Sequence, residues 1–277
     1  MKDAPSFDLG PALLFCPGDR PDRYRKALDR ADAVIIDLED SVAIDDKPGA
    51  RESLVANQLD PEHTIVRVNS VASGELDADL SALAMTEYRN VMLPKCESSE
   101  DVSVVAGVAK CHVIALCETP KGVLNVQEIA AAKGVWALMW GAEDLVAETG
   151  GYSSRRADGQ YRDLVRHARS AVLLAASVAG KAAIDAVHLN FQDSSGLQAV
   201  AEDAAAVGFA ASACLHPLQV PVVRSAYTPP AEKVEWAQQV LARAQEHRGV
   251  FSFEGRMVDE PVLAQARRVL ARSHSAD

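Results

Sequence analysis

In the stretch AVIIDLEDSV, Ala33 to Val42, an apolar run ends in Asp37, Glu39 and Asp40. Side chains alternate along a strand, so Asp37 and Glu39 share one face and Asp40 takes the other. Ionised carboxylates are costly to bury alone, so this strand end must meet solvent, a basic side chain or a metal ion. Arg67, in IVRVN, supplies one partner. An arginine there either pairs with the DLED acids or clamps a carboxylate or enolate oxygen, and both roles are compatible. Glu118 in LCET and Asp144 in WGAEDL end successive apolar runs. Two carboxylates at neighbouring strand ends can share one hard cation such as Mg²⁺, or each can cap a following helix, and spacing alone does not separate these readings. Asp37 and Glu39 then fit best as acceptors for the water around such a cation. Arg20 and Lys26 belong to a basic cluster after FCPGD, a composition that on charge alone describes a solvated face.

The elements that must position these groups are short apolar runs beginning near Ala12, Ala33, Thr64, Asn90, His112, Gly134, Ala182 and Ala211, with segments of helical composition between them. Alternating strand and helix signals predict parallel strands with right-handed crossovers. A count near eight favours a closed α/β barrel, the TIM (β/α)8 barrel, over an open sheet. Most runs end in a chemically capable residue: Asp37, Arg67, Lys95, Glu118, Asp144, Asp185 and His216 among them. The C-terminal mouth of such a barrel is where active sites are built. The expected division is a barrel over 1–226 and a C-terminal helical extension over 227–277, in which two helical stretches flank the glycine-containing turn VFSFEGRMVD. GGYSSRRADG, from Gly150, reads as a mobile loop above the mouth.

The chain has 277 residues and a net charge of -11, with no basic stripe, which argues against nucleic acid as the main partner. The N-terminus lacks an apolar h-region, and no later apolar run is long enough to span a bilayer, so the expectation is a soluble cytoplasmic protein without a membrane partner. Cys16, Cys96, Cys111, Cys117 and Cys214 contain no CxxC pair and read as buried thiols. There is no P-loop, GxGxxG or GxSxG.

Taken in order, LLFCPGDRPDRYRKA, VIIDLEDSVAIDDK, VRVN, LPK, ALCETPKGVLN, WGAEDL, CLHP and GRMVDEPV resemble the citrate lyase beta-subunit-like branch of the acyl-CoA lyases, within the HpcH/HpaI aldolase superfamily. The resemblance runs through nearly the whole chain. It implies a Mg²⁺-dependent barrel, usually a homotrimer, that makes or breaks a carbon-carbon bond beside a CoA thioester. It implies Glu118 and Asp144 at the metal, Arg67 at the substrate carbonyl and enolate, Asp37 and Glu39 in the surrounding water network, and Arg20 and Lys26 near the CoA phosphates. It also makes Asp259 the acid/base group, often delivered to a neighbouring subunit's mouth. Without the resemblance, Asp259 reads as a helix N-cap before Glu260 and Pro261. The extended tail favours a free-standing 3-hydroxyacyl-CoA lyase. The alternatives are a citrate lyase beta subunit acting on a carrier-bound citryl group, a malyl-CoA thioesterase or malate-synthase-like enzyme, and a non-catalytic CoA sensor.

Overall fold

The structure, a computed structural model, describes residues 7–109, 111–247 and 249–274. Residues 1–6, part of the segment in which the sequence shows no h-region, lie outside them. Eight parallel strands close in sequence order, β8 pairing back onto β1. They are β1 (Ala12–Pro17), β2 (Ala33–Asp37), β3 (Thr64–Arg67), β4 (Asn90–Leu93), β5 (His112–Cys117), β6 (Val135–Trp140), β7 (Ala182–Asp185) and β8 (Ala211–Cys214). The surrounding helices are α1 (Pro21–Leu28), α2 (Lys47–Ala56), α3 (Leu76–Leu83), α4 (Ser99–Ala109), α5 (Pro120–Leu124), α6 (Val126–Ala131), α7 (Ala142–Glu148), α8 (Asp163–Val178), α9 (Ser194–Val207) and α10 (Val220–Tyr227). The chain is thus a TIM barrel of the α/β class, as its alternating pattern predicts.

Period-two alternation fills the barrel interior. Leu13, Ile35, Ile65, Met92, Ile114, Leu116, Met139 and Ile184 belong to one buried cluster. Two residues beyond the last interior apolar side chains of β2, β3, β5 and β6 come Asp37, Arg67, Glu118 and Gly141, which line the mouth. Register sets them side by side, Asp37 opposite Arg67 and Cys117 opposite Trp140. A bulge in the β5/β6 ladder, where Val113 pairs Val135 and Ile114 pairs Ala137, shifts the register by one residue and brings Met139 beside Leu116. Parity also separates look-alikes. Asp185 follows the interior residue Ile184 by one position, and it bonds Trp140 Nε1 at 2.6 Å and the Arg169 guanidinium at 3.0 Å. It is a satisfied structural carboxylate, not a mouth residue as its place at a strand end suggests.

The chain divides into two compact units, one ending at Val223 and the next beginning at Arg224. The second contains α11 (Ala231–Glu246), strands β9 (Phe251–Phe253) and β10 (Arg256–Val258), and α12 (Glu260–His274). Its own core gathers Ala237, Val240, Phe251, Val258 and Ala266. The turn expected from VFSFEGRMVD is a hairpin, with Glu254 and Gly255 at φ of 49° and 76°. Positive φ at both central residues is the type I′ pattern, whose twist matches antiparallel strands. Among the described residues no helix is long and apolar enough to cross a membrane, and all five cysteines are buried.

Candidate active site

Arg67 anchors the mouth. Its Nε and Nη2 each donate to Asp37 at 2.7 Å, a bidentate fork, and its guanidinium lies over the Phe15 ring at 4.8 Å. Burial raises the Asp37 carboxyl, but the bonds and charge of Arg67 outweigh it and hold Asp37 below the usual carboxylate value. Backbone N–H groups of Glu39 and Ser41 also donate to Asp37, tying the strand end to its loop. Lys47 closes that loop from beneath, donating to Leu38 O, Glu39 O and Asn69 Oδ1 at 2.7–2.9 Å. Glu39 is buried against Lys95 Nζ at 2.6 Å. Its Oε2 lies 3.1 Å from Arg67 Nη1 without the alignment of a hydrogen bond and is left as a buried acceptor with none.

Glu118, one residue past β5, is 3 % exposed and receives the Lys95 backbone N–H at 3.2 Å. It does not cap α5. Thr119 does, accepting from Gly122 N at 2.9 Å. Asp144 sits in the first turn of α7, past the end of β6, and its side chain makes no cap. The two carboxylates line one cavity of about 380 Å³ with Asp37, Arg67, Phe15 and Trp140. Burial, then the charges of Asp144 and Glu39, push Glu118 up to about 8. Gly141 makes room for it: a Cβ at that position would stand 2.5 Å from Glu118 Oε2 and 2.8 Å from Glu118 Cβ.

Formal charge then tests whether a cation fits. Among the described residues, Asp37, Glu39, Glu118 and Asp144 face Arg67 and Lys95, and Asp40 and Glu143 also line the cavity, so acids outnumber bases there. A divalent cation would offset part of that excess, and the orphaned Glu39 Oε2 offers an acceptor for its water. Among the described residues no three His, Cys, Asp or Glu side chains form a ready-made cage. A cation held by Glu118 and Asp144 would complete its coordination from outside the protein, the habit of Mg²⁺ rather than of structural zinc.

The structure therefore brings together Asp37, Glu39, Arg67, Glu118 and Asp144. Arg20 precedes α1 and pairs with Asp22 at 3.1 Å, and Lys26 is exposed on α1. Asp259 belongs to the second unit, where its Oδ1 accepts from Val262 N at 3.4 Å at the start of α12. His216 is structural: Nδ1 accepts from Leu218 N, and the ring stacks on Phe191. Lys47 and Gly141 escape sequence reasoning. The signal for Lys95 is its place at a strand end, in LPK.

Fold and mouth define a class: a (β/α)8 enzyme with a carboxylate seat for a hard divalent cation beside a fixed arginine. Residues 12–217 match the HpcH/HpaI aldolase/citrate lyase family, and the chain belongs to it. Aldolases and citrate lyases cleave carbon-carbon bonds, and the chain is a lyase of that kind. It is 54% identical over 267 residues to the citrate lyase subunit beta-like protein of Mycobacterium tuberculosis strain H37Rv, covering 96% of this chain and 97% of that one. It is 32% identical over 295 residues to human mitochondrial citramalyl-CoA lyase, covering 95% and 85%. The crystal structure of M. tuberculosis CitE in complex with magnesium, acetoacetate and coenzyme A superposes with a TM-score of 0.92 at 54% identity, covering 96% of this chain and 98% of that one.

Proposed function

We propose that the chain is a Mg²⁺-dependent 3-hydroxyacyl-CoA lyase that splits a carboxylated 3-hydroxyacyl-CoA, of the citramalyl, malyl or 3-hydroxy-3-methylglutaryl class, into acetyl-CoA and a keto acid. The observation that carries it is the excess of carboxylates, Glu118 and Asp144 among them, beside a locked arginine in one cavity. The citramalyl-CoA lyase relative and the magnesium and coenzyme A in the M. tuberculosis structure support it.

Glu118 and Asp144 hold the cation, and Asp37 and Glu39 order the water around it. When bound, Mg²⁺ supplies polarisation of the 3-hydroxyl and distal carboxylate of the substrate. Arg67 cannot turn away, because Asp37 holds it by two bonds, so it presents a fixed positive charge to the cavity. As the carbon-carbon bond breaks, the thioester oxygen gains negative charge that Arg67 stabilises. The apolar wall of Phe15, Leu116, Met139 and Trp140 limits water there and strengthens that interaction. Asp259, contributed to a neighbouring subunit of a homotrimer, removes the 3-hydroxyl proton, protonation of the enolate carbon then gives acetyl-CoA, and Arg20 and Lys26 meet the CoA phosphates.

Asp144→Ala tests the metal assignment. Lyase turnover and its response to Mg²⁺ should both vanish while the circular dichroism spectrum is preserved, and a variant with unimpaired, Mg²⁺-dependent turnover would refute it. A citrate lyase beta subunit is the second reading, favoured by the description of the M. tuberculosis relative. Such a subunit would be inert on free CoA thioesters.

A further inference from the structure

Lys95 follows β4 with a φ of 49°, a left-handed conformation that residues bearing a Cβ adopt rarely and that persists where the surroundings enforce it. That backbone aims two groups of one residue at the site. The main-chain N–H donates to Glu118 Oε1 at 3.2 Å. The ammonium lies 2.6 Å from Glu39 Oε1, 3.4 Å from Asp144 Oδ1 and 3.9 Å from Asp40 Oδ2. Both carboxylates assigned to the metal are therefore held through one oxygen by Lys95, and each keeps a second with which to ligate. The ammonium is also, with Arg67, one of two positive side chains set among the acids Asp37, Glu39, Asp40, Glu118 and Asp144. Without it the excess of negative charge would grow by one.

We propose that Lys95 is a tethered cation that lowers the negative charge of the site and so favours a divalent over a trivalent ion, acting through Glu39 and Asp144 as a positioning and selectivity residue without itself ligating. The inference rests on the metal assignment of the preceding section. A bound trivalent ion feels a neighbouring positive charge more strongly than a divalent one at the same place, in proportion to its charge. Loss of the ammonium therefore changes the ratio of the two affinities, whatever it does to either alone. A side chain with a purely structural role would leave the ratio in place.

The test compares the binding of MnCl₂, followed by electron paramagnetic resonance, with that of TbCl₃, followed by sensitised luminescence, in the full-length protein and its variants. Lys95→Met should shift the Tb³⁺/Mn²⁺ affinity ratio toward Tb³⁺ by about tenfold or more, while Lys95→Arg keeps the wild-type ratio. Lys95→Gly removes the same charge and suits the left-handed backbone, so it serves if Lys95→Met does not fold. An unchanged ratio in the folded charge-loss variant, or a Lys95→Arg ratio matching it, would overturn the proposal and leave the metal assignment standing. A wild-type protein that binds neither ion would overturn both.

Discussion

Glu118 shows how the site treats unmatched charge. It has no cationic side chain within bonding distance among the described contacts, only the Lys95 N–H, and burial beside Asp144 and Glu39 raises it from 4.5 to about 8. The sign follows directly: between those values the folded, metal-free protein binds more protons than the unfolded chain, so its stability falls as pH rises through that window. A cation reverses the balance and expels the proton. Mg²⁺ binding at neutral pH should therefore release protons, seen as a calorimetric enthalpy that varies with the ionisation enthalpy of the buffer. A buffer-independent enthalpy would contradict it. Gly141→Ala is the second expectation at this scale. The new Cβ meets Glu118 Oε2 at 2.5 Å, so the carboxylate must move, at a cost of about 1–3 kcal/mol in urea unfolding and about 10–100-fold in metal affinity. Wild-type affinity in that variant would show that Glu118 does not need its present seat. Asp37, Arg67 and Glu118 were legible in the sequence because strand parity places them, and Asp144 because it closely follows an apolar run. Gly141 was not, because its necessity depends on which residue stands beside it across a bulged ladder.

Among the elements, all eight barrel strands coincide with apolar runs visible in the sequence, since strands buried on both faces are continuous in hydrophobicity. Asp185 shows the limit of reading strand ends without phase: one position separates a mouth residue from one bonded to Arg169. The β9/β10 hairpin was missed for another reason. Its strands are three residues each, too short for alternation to register, and Glu-Gly is not the Asn-Gly or Asp-Gly signal of a type I′ turn. Glu254 carries a left-handed φ that asparagine tolerates better. Glu254→Asn should raise stability by about 0.5–1 kcal/mol in chemical denaturation, and a loss of stability would contradict the turn geometry.

At the scale of the whole molecule, a chain of net charge -11 sets Arg67 and Lys95 among the acids of the barrel mouth, while Arg20 pairs with Asp22 and Lys26 is exposed on α1. The choice among acyl groups was never legible, because a methyl or methylene is worth only about 1–3 kcal/mol in an apolar pocket and leaves no motif. The most direct test of the central claim is mass-spectrometric analysis of products after the purified protein meets a panel of carboxylated 3-hydroxyacyl-CoAs, with Mg²⁺ and with EDTA. The account predicts acetyl-CoA and the matching keto acid from at least one member, formed with Mg²⁺ and abolished by EDTA. Silence across the panel, or free CoA without acetyl-CoA, would contradict it.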